Sequence, residues 1–266
     1  MPDVTALRVL IALAALSIAI APAFAEEDSD VAPDRPDVTN STQTVPFRAV
    51  QIEVGLEYAR MSLAARTDDR RFVVQGALRF GLTDRLEGYL DGEPLVRLRG
   101  EDEDTGNGDL ELGLKYRFLD QPEGAPWPSL GLQPFVKFPA AAEPIGSGRP
   151  DFGMLLLASL ALPWQLGLDV NAGLVAVGQT RPSEYLVQGL GSASLSREVA
   201  ERLSAFVEIF YASREERDGR YAVGFNTGLV FLLRRRLALD AAVATTLAGR
   251  GPDYAVRTGI SLRWGR

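Results

Sequence analysis

Neither histidine nor cysteine occurs in the 266 residues of this chain. Their absence removes the usual general base and the commonest transition-metal ligand, and excludes disulfides and thiolate metal sites. A serine nucleophile would have no imidazole to activate it. The chemistry left belongs to carboxylates, guanidinium groups and a few amines, and their spacing is regular. Glu53 and Glu57, Arg71 and Arg79, Glu87, Asp91 and Glu93, Glu111, Lys115 and Arg117, and Arg257 and Arg263 keep to alternate positions within their own segments. Two carboxylates such as Glu87 and Asp91 could in principle exchange protons with a substrate. Charges of both signs on neighbouring segments fit better with ion pairs that brace a wall, or with a polar track for a solute, because buried charges need partners. The acidic run 101–104 reads as a solvated loop rather than a weak site for a divalent cation. No catalysis, cofactor or metal follows from these residues.

The element that sends every second residue to one face is the β-strand. The final segment is the clearest. Tyr254, Val256, Thr258, Ile260, Leu262 and Trp264 share one face, while Ala255, Arg257, Gly259, Ser261 and Arg263 share the other. Twelve segments follow this pattern, at about 49–60, 71–82, 85–96, 108–119, 129–138, 151–162, 166–177, 185–196, 202–212, 221–232, 237–247 and 254–264. In each, the apolar set is free of charge. A soluble sandwich would have to bury all of these faces and protect its sheet edges. A sheet closed in lipid needs neither, so the expected fold is all-β: a transmembrane antiparallel up-and-down β-barrel of about 12 strands, apolar outside and polar within. Short turns at 83–84, 163–165 and 233–236 alternate with longer polar loops at 97–107, 139–150, 213–219 and 248–253. That asymmetry is expected of periplasmic turns and extracellular loops. Pro134 is a weak point in the fifth strand, where a ladder donor is missing.

Residues 1–25 read as a secretory signal peptide: Arg8, an apolar core over 9–21, and Ala23-Phe24-Ala25 before the acidic start at Glu26. Cleavage is expected after Ala25. Residues 26–47 are acidic, contain proline and show no periodicity, and are expected to form an irregular periplasmic lead or a plug. Residues 48–266 form the expected barrel. Net charge of −7 speaks against nucleic-acid binding, which needs a basic surface. The expected partners are outer-membrane lipid, the barrel assembly machinery and a small-molecule solute.

The inward positions divide the expected lumen. One wall is charged and carries Glu53, Arg79, Glu87, Asp91, Glu111, Lys115, Arg117 and Arg257. The opposite wall is largely apolar, with Phe135, Leu155, Leu157, Phe206 and Phe210, and with Asp169, Asn171, Gln188 and Glu208 scattered among them. It would pack against a plug or meet an aromatic or aliphatic ligand. Pairing through the 83–84 turn and the 97–107 loop predicts an Arg79–Glu87–Arg117 ladder. About 12 strands enclose a bore between the filled interior of eight and the open channel of sixteen, so the lumen is expected to be narrow or partly blocked.

Three stretches carry a family resemblance. Asp34-Arg35-Pro36-Asp37-Val38-Thr39, with Thr44-Val45-Pro46 and Gln51-Ile52-Glu53, is similar to the N-terminal hallmark of a Gram-negative outer-membrane family. That family is named for association with the meta-cleavage pathway of phenol degradation. Gly81-Leu82-Thr83-Asp84-Arg85-Leu86-Glu87 and Gly108-Asp109-Leu110-Glu111-Leu112-Gly113-Leu114-Lys115-Tyr116-Arg117 resemble two further segments of it. Its members are usually labelled transporters. The resemblance therefore implies a barrel and a passive channel for small solutes, including aromatic or hydrophobic compounds. The alternative is a non-conducting structural or surface-interaction barrel with a plugged lumen. The C-terminus departs from the aromatic-ended assembly signal, since Gly265 and Arg266 follow Trp264, but the alternation behind Trp264 is intact.

Overall fold

The computed structural model describes residues 30–63, 67–101, 103–180 and 182–265. The expected leader and its cleavage point lie outside the described residues. Alternation of apolar and polar side chains becomes one closed antiparallel sheet. Its strands are β1 (Val50–Leu63), β2 (Thr67–Thr83), β3 (Leu86–Arg99), β4 (Asp104–Gly106), β5 (Leu110–Leu119), β6 (Ser129–Phe138) and β7 (Asp151–Leu162), then β8 (Leu166–Gln179), β9 (Glu184–Ala200), β10 (Leu203–Ala212), β11 (Ala222–Arg234), β12 (Leu237–Gly249) and β13 (Tyr254–Trp264). Twelve are long, and β4 is a three-residue addition to the edge of β3. Each long strand pairs with its sequence neighbours, and β1 pairs with β13 from Val50↔Trp264 to Arg60↔Tyr254, which closes the barrel. Closure leaves no long edge exposed.

The faces follow the alternation. Outward Leu112, Met154 and Val243 are each half or more exposed, whereas inward Glu53 and Glu87 are fully enclosed. The closed sheet inverts the soluble rule: charge lies inside and apolar surface outside. Aromatic side chains gather on the outer face near the loop end, where Tyr58 meets Tyr254, Phe152 meets Tyr185 and Tyr211 meets Tyr221 at ring-centroid distances of 6.0–6.3 Å.

Two details differ from expectation. The stretch 97–107 is not simply a loop: β3 runs on to Arg99, and β4 pairs back against Val96, Arg97 and Leu98. A register shift between Val74 and Gly76 of β2 accommodates the extra residue in β3 and bends the strands there. The asymmetry of the connections is also incomplete. Turns at 84–85, 163–165, 201–202 and 235–236 are tight, but residues 120–128 make a longer connection at the same end. At Pro134 the β5–β6 ladder is interrupted, resuming at Tyr116↔Leu132 beyond Gly113↔Phe135. The missing proline N–H accounts for the gap.

Candidate functional site: the barrel interior and its N-terminal segment

Residues 30–47 carry no regular structure, yet many of their polar groups find partners on the inner wall. The segment starts at the turn end, where the Val31 N–H donates to the Arg235 carbonyl at 2.7 Å. It rises to the middle of the barrel, crosses it and returns to the turn end, where the Thr44 hydroxyl donates to the Asp84 carbonyl at 2.8 Å. A chain without helix or sheet must satisfy its backbone elsewhere. Here inward side chains of the strands do so.

The charged side of the lumen is a buried cluster. Arg79 on β2 donates to Glu87 on β3 at 2.9 and 3.0 Å and to Glu53 on β1 at 3.0 Å. Lys115 on β5 reaches Glu87 at 3.8 Å and binds Asp34 of the segment at 2.5 Å. Asp34 also lies 3.3 Å from Arg79. Two cations thus face three carboxylates, of which only Asp34 is open to solvent, at 20% exposure. Glu87 accepts the Val45 N–H at 2.6 Å, so it anchors the returning limb as well. The expected ladder is corrected at its third member. Glu87 stands opposite Lys115 in the register, and Arg117 stands two residues nearer the turn end. Arg117 instead pairs with Asp120 at 2.7 Å and donates to the Asp84 carbonyl at 3.0 Å. A two-residue shift keeps Arg117 on the inner face while removing it from reach of Glu87.

Arg35 is the centre of the segment. Its guanidinium donates to Gln75 of β2 at 2.7 Å, to Asp240 of β12 at 3.3 Å and to the Thr258 carbonyl of β13 at 3.1 Å. It can lie there because Gly55 and Gly259, paired across β1 and β13, leave the wall bare. A Cβ on Gly55 would stand 2.1 Å from the Arg35 Cζ. Next to it, Arg257 binds Glu57 at 2.6 Å and donates to the Pro36 carbonyl at 3.3 Å.

The segment meets the far wall at the polar positions scattered among its apolar ones. Glu208 of β10 accepts the Val38 N–H at 2.9 Å, the Thr39 N–H at 2.5 Å and the Thr39 hydroxyl at 2.5 Å. Asn226 of β11 donates to the other Glu208 oxygen at 3.0 Å. Asn171 of β8 accepts the Asn40 N–H at 2.7 Å, Gln133 of β6 accepts from the Asn40 amide at 3.0 Å, and Ser159 of β7 accepts the Thr42 N–H at 2.8 Å. Ser194 of β9 donates to Asp37 at 3.2 Å. The Asn226 amide of β11 also donates to the Pro36 carbonyl at 3.5 Å, so every one of the twelve long strands gives the segment a hydrogen bond or an ion pair. Burial, with the anionic Glu208 beside it, pushes the Asp37 carboxyl well above the ordinary aspartate range.

The apolar residues expected to line that wall lie flat against it. Phe135 covers Gly153, Leu155 covers Gly173, Phe210 covers Gly224 and Phe206 covers Gly228, each pair being directly opposed across neighbouring strands. Leu157 is fully enclosed. A large side chain over an opposed glycine fills the wall without filling the bore. Tyr89 does the same over Gly113, and its hydroxyl donates to Glu111 at 2.9 Å while accepting from Gln133 at 3.0 Å.

Toward the loop end, the segment leaves a cavity of about 460 Å³ bordered by Arg35, Arg71, Asp91, Glu93, Glu111 and Lys137. Arg71 binds Glu93 at 2.6 Å and Lys137 binds Asp151 at 2.5 Å. Asp91 stands directly opposite Glu111. The sequence reading placed Asp91 and Glu111 on the lumen wall, but missed Asp34, Arg35, Gln133, Asn226 and Asp240 as partners of the segment. The periodicity of the strands points Gln133, Asn226 and Asp240 inward. Nothing in the sequence alone says what they bind.

A closed wall of twelve long strands holding an irregular N-terminal segment defines a recognisable class of protein. The chain matches the family described as "Putative MetA-pathway of phenol degradation" over residues 33–264, and belongs to it. Among solved structures, it is similar to an outer membrane channel from Pseudomonas putida F1, at 16% identity and a TM-score of 0.67, with 88% of this chain and 100% of that chain covered. It is also similar to the NanC porin, at 8% identity and a TM-score of 0.54, covering 80% of this chain and 98% of the porin. The KdgM porin in complex with disordered oligogalacturonate is similar at 9% identity and a TM-score of 0.54, with 81% of this chain and 99% of that chain covered. At these identities the likeness is one of fold. No curated protein matches the chain.

Proposed function

We propose that the protein is an outer-membrane channel for small solutes whose lumen is held shut by its own N-terminal segment. Residues 1–25 serve as a signal peptide removed after Ala25, residues 26–47 as the plug, and residues 48–266 as the barrel. The observation that carries this reading is the bonding of residues 30–47 to all twelve long strands. The family, and a fold also found in outer membrane channels and porins, support it. No catalytic role is proposed, since a chain without histidine or cysteine offers no ready nucleophile–base pair.

The cavity left by the segment favours a solute with polar or charged groups. Arg71, Lys137, Asp91, Glu93 and Glu111 surround it, while Phe135, Phe206 and Phe210 are laid against the wall. An aromatic solute carrying a hydroxyl or carboxylate fits this lining better than a bare hydrocarbon, because charged walls reward hydrogen-bonding groups in transit. The second reading is a barrel that conducts nothing. It is favoured by the density of the plug's contacts, which include a buried ionic cluster. Vesicle swelling separates the two. Proteoliposomes of the chain lacking residues 30–47, its outer-membrane location first established by fractionation of the mature chain, should admit small hydroxylated aromatic acids faster than empty vesicles and faster than vesicles holding the mature chain. Swelling no faster than that of empty vesicles, both with the intact segment and with residues 30–47 removed, would leave only the non-conducting reading.

A further inference from the structure

Between its two ends the lipid face carries no charge, and at the loop end charge returns on one side of the barrel only. Beyond Tyr58 and Phe72, the outward positions are Arg60 on β1, Asp68 and Arg70 on β2, and Arg97 and Arg99 on β3. The register aligns Tyr254, Arg60, Arg70 and Arg99 in one row across four adjacent strands. Val256, Tyr58, Phe72 and Arg97 make the row beneath. At the same end of β6, β7, β9 and β10 the outward residues are uncharged Phe138, Phe152, Tyr185 and Tyr211.

The arginines are not used up by one another's neighbours. Asp68 is shared between Arg60, at 2.6 Å, and Arg70. Arg99 has Glu103 at 3.8 Å, across solvent. The Arg97 side chain is exposed and makes no hydrogen bond or ion pair among the described residues. Glu101, exposed just beyond Arg99, and Asp253, which accepts from the Ser62 N–H and hydroxyl at 2.9 and 2.7 Å, bring the carboxylates at this end to four against four guanidinium groups, so the open donors are those of Arg97 and the loosely held Arg99. Aromatic side chains such as Tyr58, Phe72 and Tyr254 mark the depth of the lipid headgroups. The guanidinium groups stand level with this row or one row above it, where the phosphates of a surrounding leaflet lie. Arginine pairs with phosphate through two parallel N–H donors, and clustered basic residues at a membrane surface attract anionic headgroups.

We propose that the outer face of β1–β3 at the loop end binds the phosphate groups of an anionic glycolipid in the surrounding outer leaflet. This rests on the reading of the protein as an outer-membrane barrel with its loops outside. Arg97 and Arg99 supply the open donors, Arg60 and Arg70 share the single carboxylate of Asp68 beside them, and the aromatic row beneath meets the first carbons of the acyl chains. The site lies on the barrel's exterior, so it is independent of whether the lumen conducts.

The test uses the full mature chain, refolded in detergent and mixed with lipid A bearing both phosphates or with the same lipid after phosphatase treatment. Native mass spectrometry counts the lipids retained. The wild-type chain should hold the phosphorylated form and release the dephosphorylated one. The Arg97→Gln, Arg99→Gln variant should lose roughly tenfold or more of this affinity, as removal of two basic side chains from a headgroup site implies. Arg197→Gln, an exterior arginine near the turn end, should leave retention unchanged. Equal retention of both lipids by the wild-type chain would overturn the site without need of any variant. So would equal retention of phosphorylated lipid by the wild-type and double-glutamine chains, once heat-modifiable gel mobility shows both folded. Recovery of the chain in the outer membrane together with no phosphate preference would overturn this site and leave the barrel reading standing.

Discussion

At the scale of single residues, the interior is governed by the rule that a buried charge must be paired. Arg79, Lys115, Glu53, Glu87 and Asp34 satisfy one another with little help from water, so losing either cation leaves buried carboxylates uncompensated. Glu87→Ala leaves Arg79 with Glu53 and Asp34 and Lys115 with Asp34, and should cost about 1–3 kcal/mol in lost charge-assisted hydrogen bonds. Lys115→Ala leaves three carboxylates facing one cation and should cost more, about 3–5 kcal/mol. Arg117→Ala should cost under about 1 kcal/mol, because its partner Asp120 is half open to solvent. Urea unfolding in lipid vesicles measures all three, and equal losses for Lys115→Ala and Arg117→Ala would reject the register across β3 and β5. Arg79 and Glu87 were legible as partners from sequence because a tight turn fixes their offset. Arg117 was misassigned because residues 100–109, with β4 folded into them, set the axial register of β5, and strand alternation is blind to a shift of two.

A second residue-scale expectation concerns pH. Burial and the neighbouring Glu208 anion raise the Asp37 carboxyl, with Asp34 adding a smaller push in the same direction, while the Asp37 backbone and the Ser194 hydroxyl favour the anion. A raised acid favours the docked state while it is protonated. Its contribution to docking is complete below the ordinary aspartate pKa and is lost as pH rises through the raised value. The segment should therefore become more open to protease as pH climbs through that window. Asp37→Asn, which keeps the shape and cannot ionise, should flatten the dependence. A wild-type cleavage rate that does not change with pH would contradict this role for Asp37.

At the scale of elements, two devices let regular strands hold an irregular guest. The first is the large side chain laid over an opposed glycine, which clears the bore. The second is the bare wall at Gly55 and Gly259 that receives Arg35. Gly55→Val should displace Arg35 and loosen the segment while leaving the barrel closed, read as faster cleavage within residues 30–47. Gly76→Ala is the matched control, since a Cβ there meets nothing within 4 Å. On the outer face, Leu112→Arg should cost about 2–4 kcal/mol at the bilayer midplane, and wild-type stability in lipid would mean that β5 is turned the wrong way. Strand identity and facing were legible throughout because a period of two leaves a direct trace in sequence. The flattened aromatic residues were not, since periodicity tells which way a side chain leaves the backbone but not how it lies afterwards. The apolar wall read from Phe135, Phe206 and Phe210 was for this reason drawn too far into the lumen.

At the scale of the whole molecule, closure and occupancy explain each other. A barrel of twelve long strands encloses more space than its own side chains fill, and an irregular segment cannot fold alone without orphaned N–H and C=O groups. Each supplies what the other lacks. The barrel was legible from the repeated alternation, and the N-terminal segment stood out by having none. Its path was not legible, because contacts between an aperiodic stretch and twelve strands far away in sequence leave no local pattern.

The central claim is that this segment closes a channel that otherwise conducts, and one measurement bears on it most directly. The chain has no cysteine, so Asp37→Cys together with Ser194→Cys, whose native side chains touch at 3.2 Å, introduces a single possible disulfide between segment and wall. Planar-bilayer recordings of this variant should show little conductance when oxidised and discrete open levels after reduction, reversibly. Identical conductance in both states, with the cross-link verified by mass, would contradict the account.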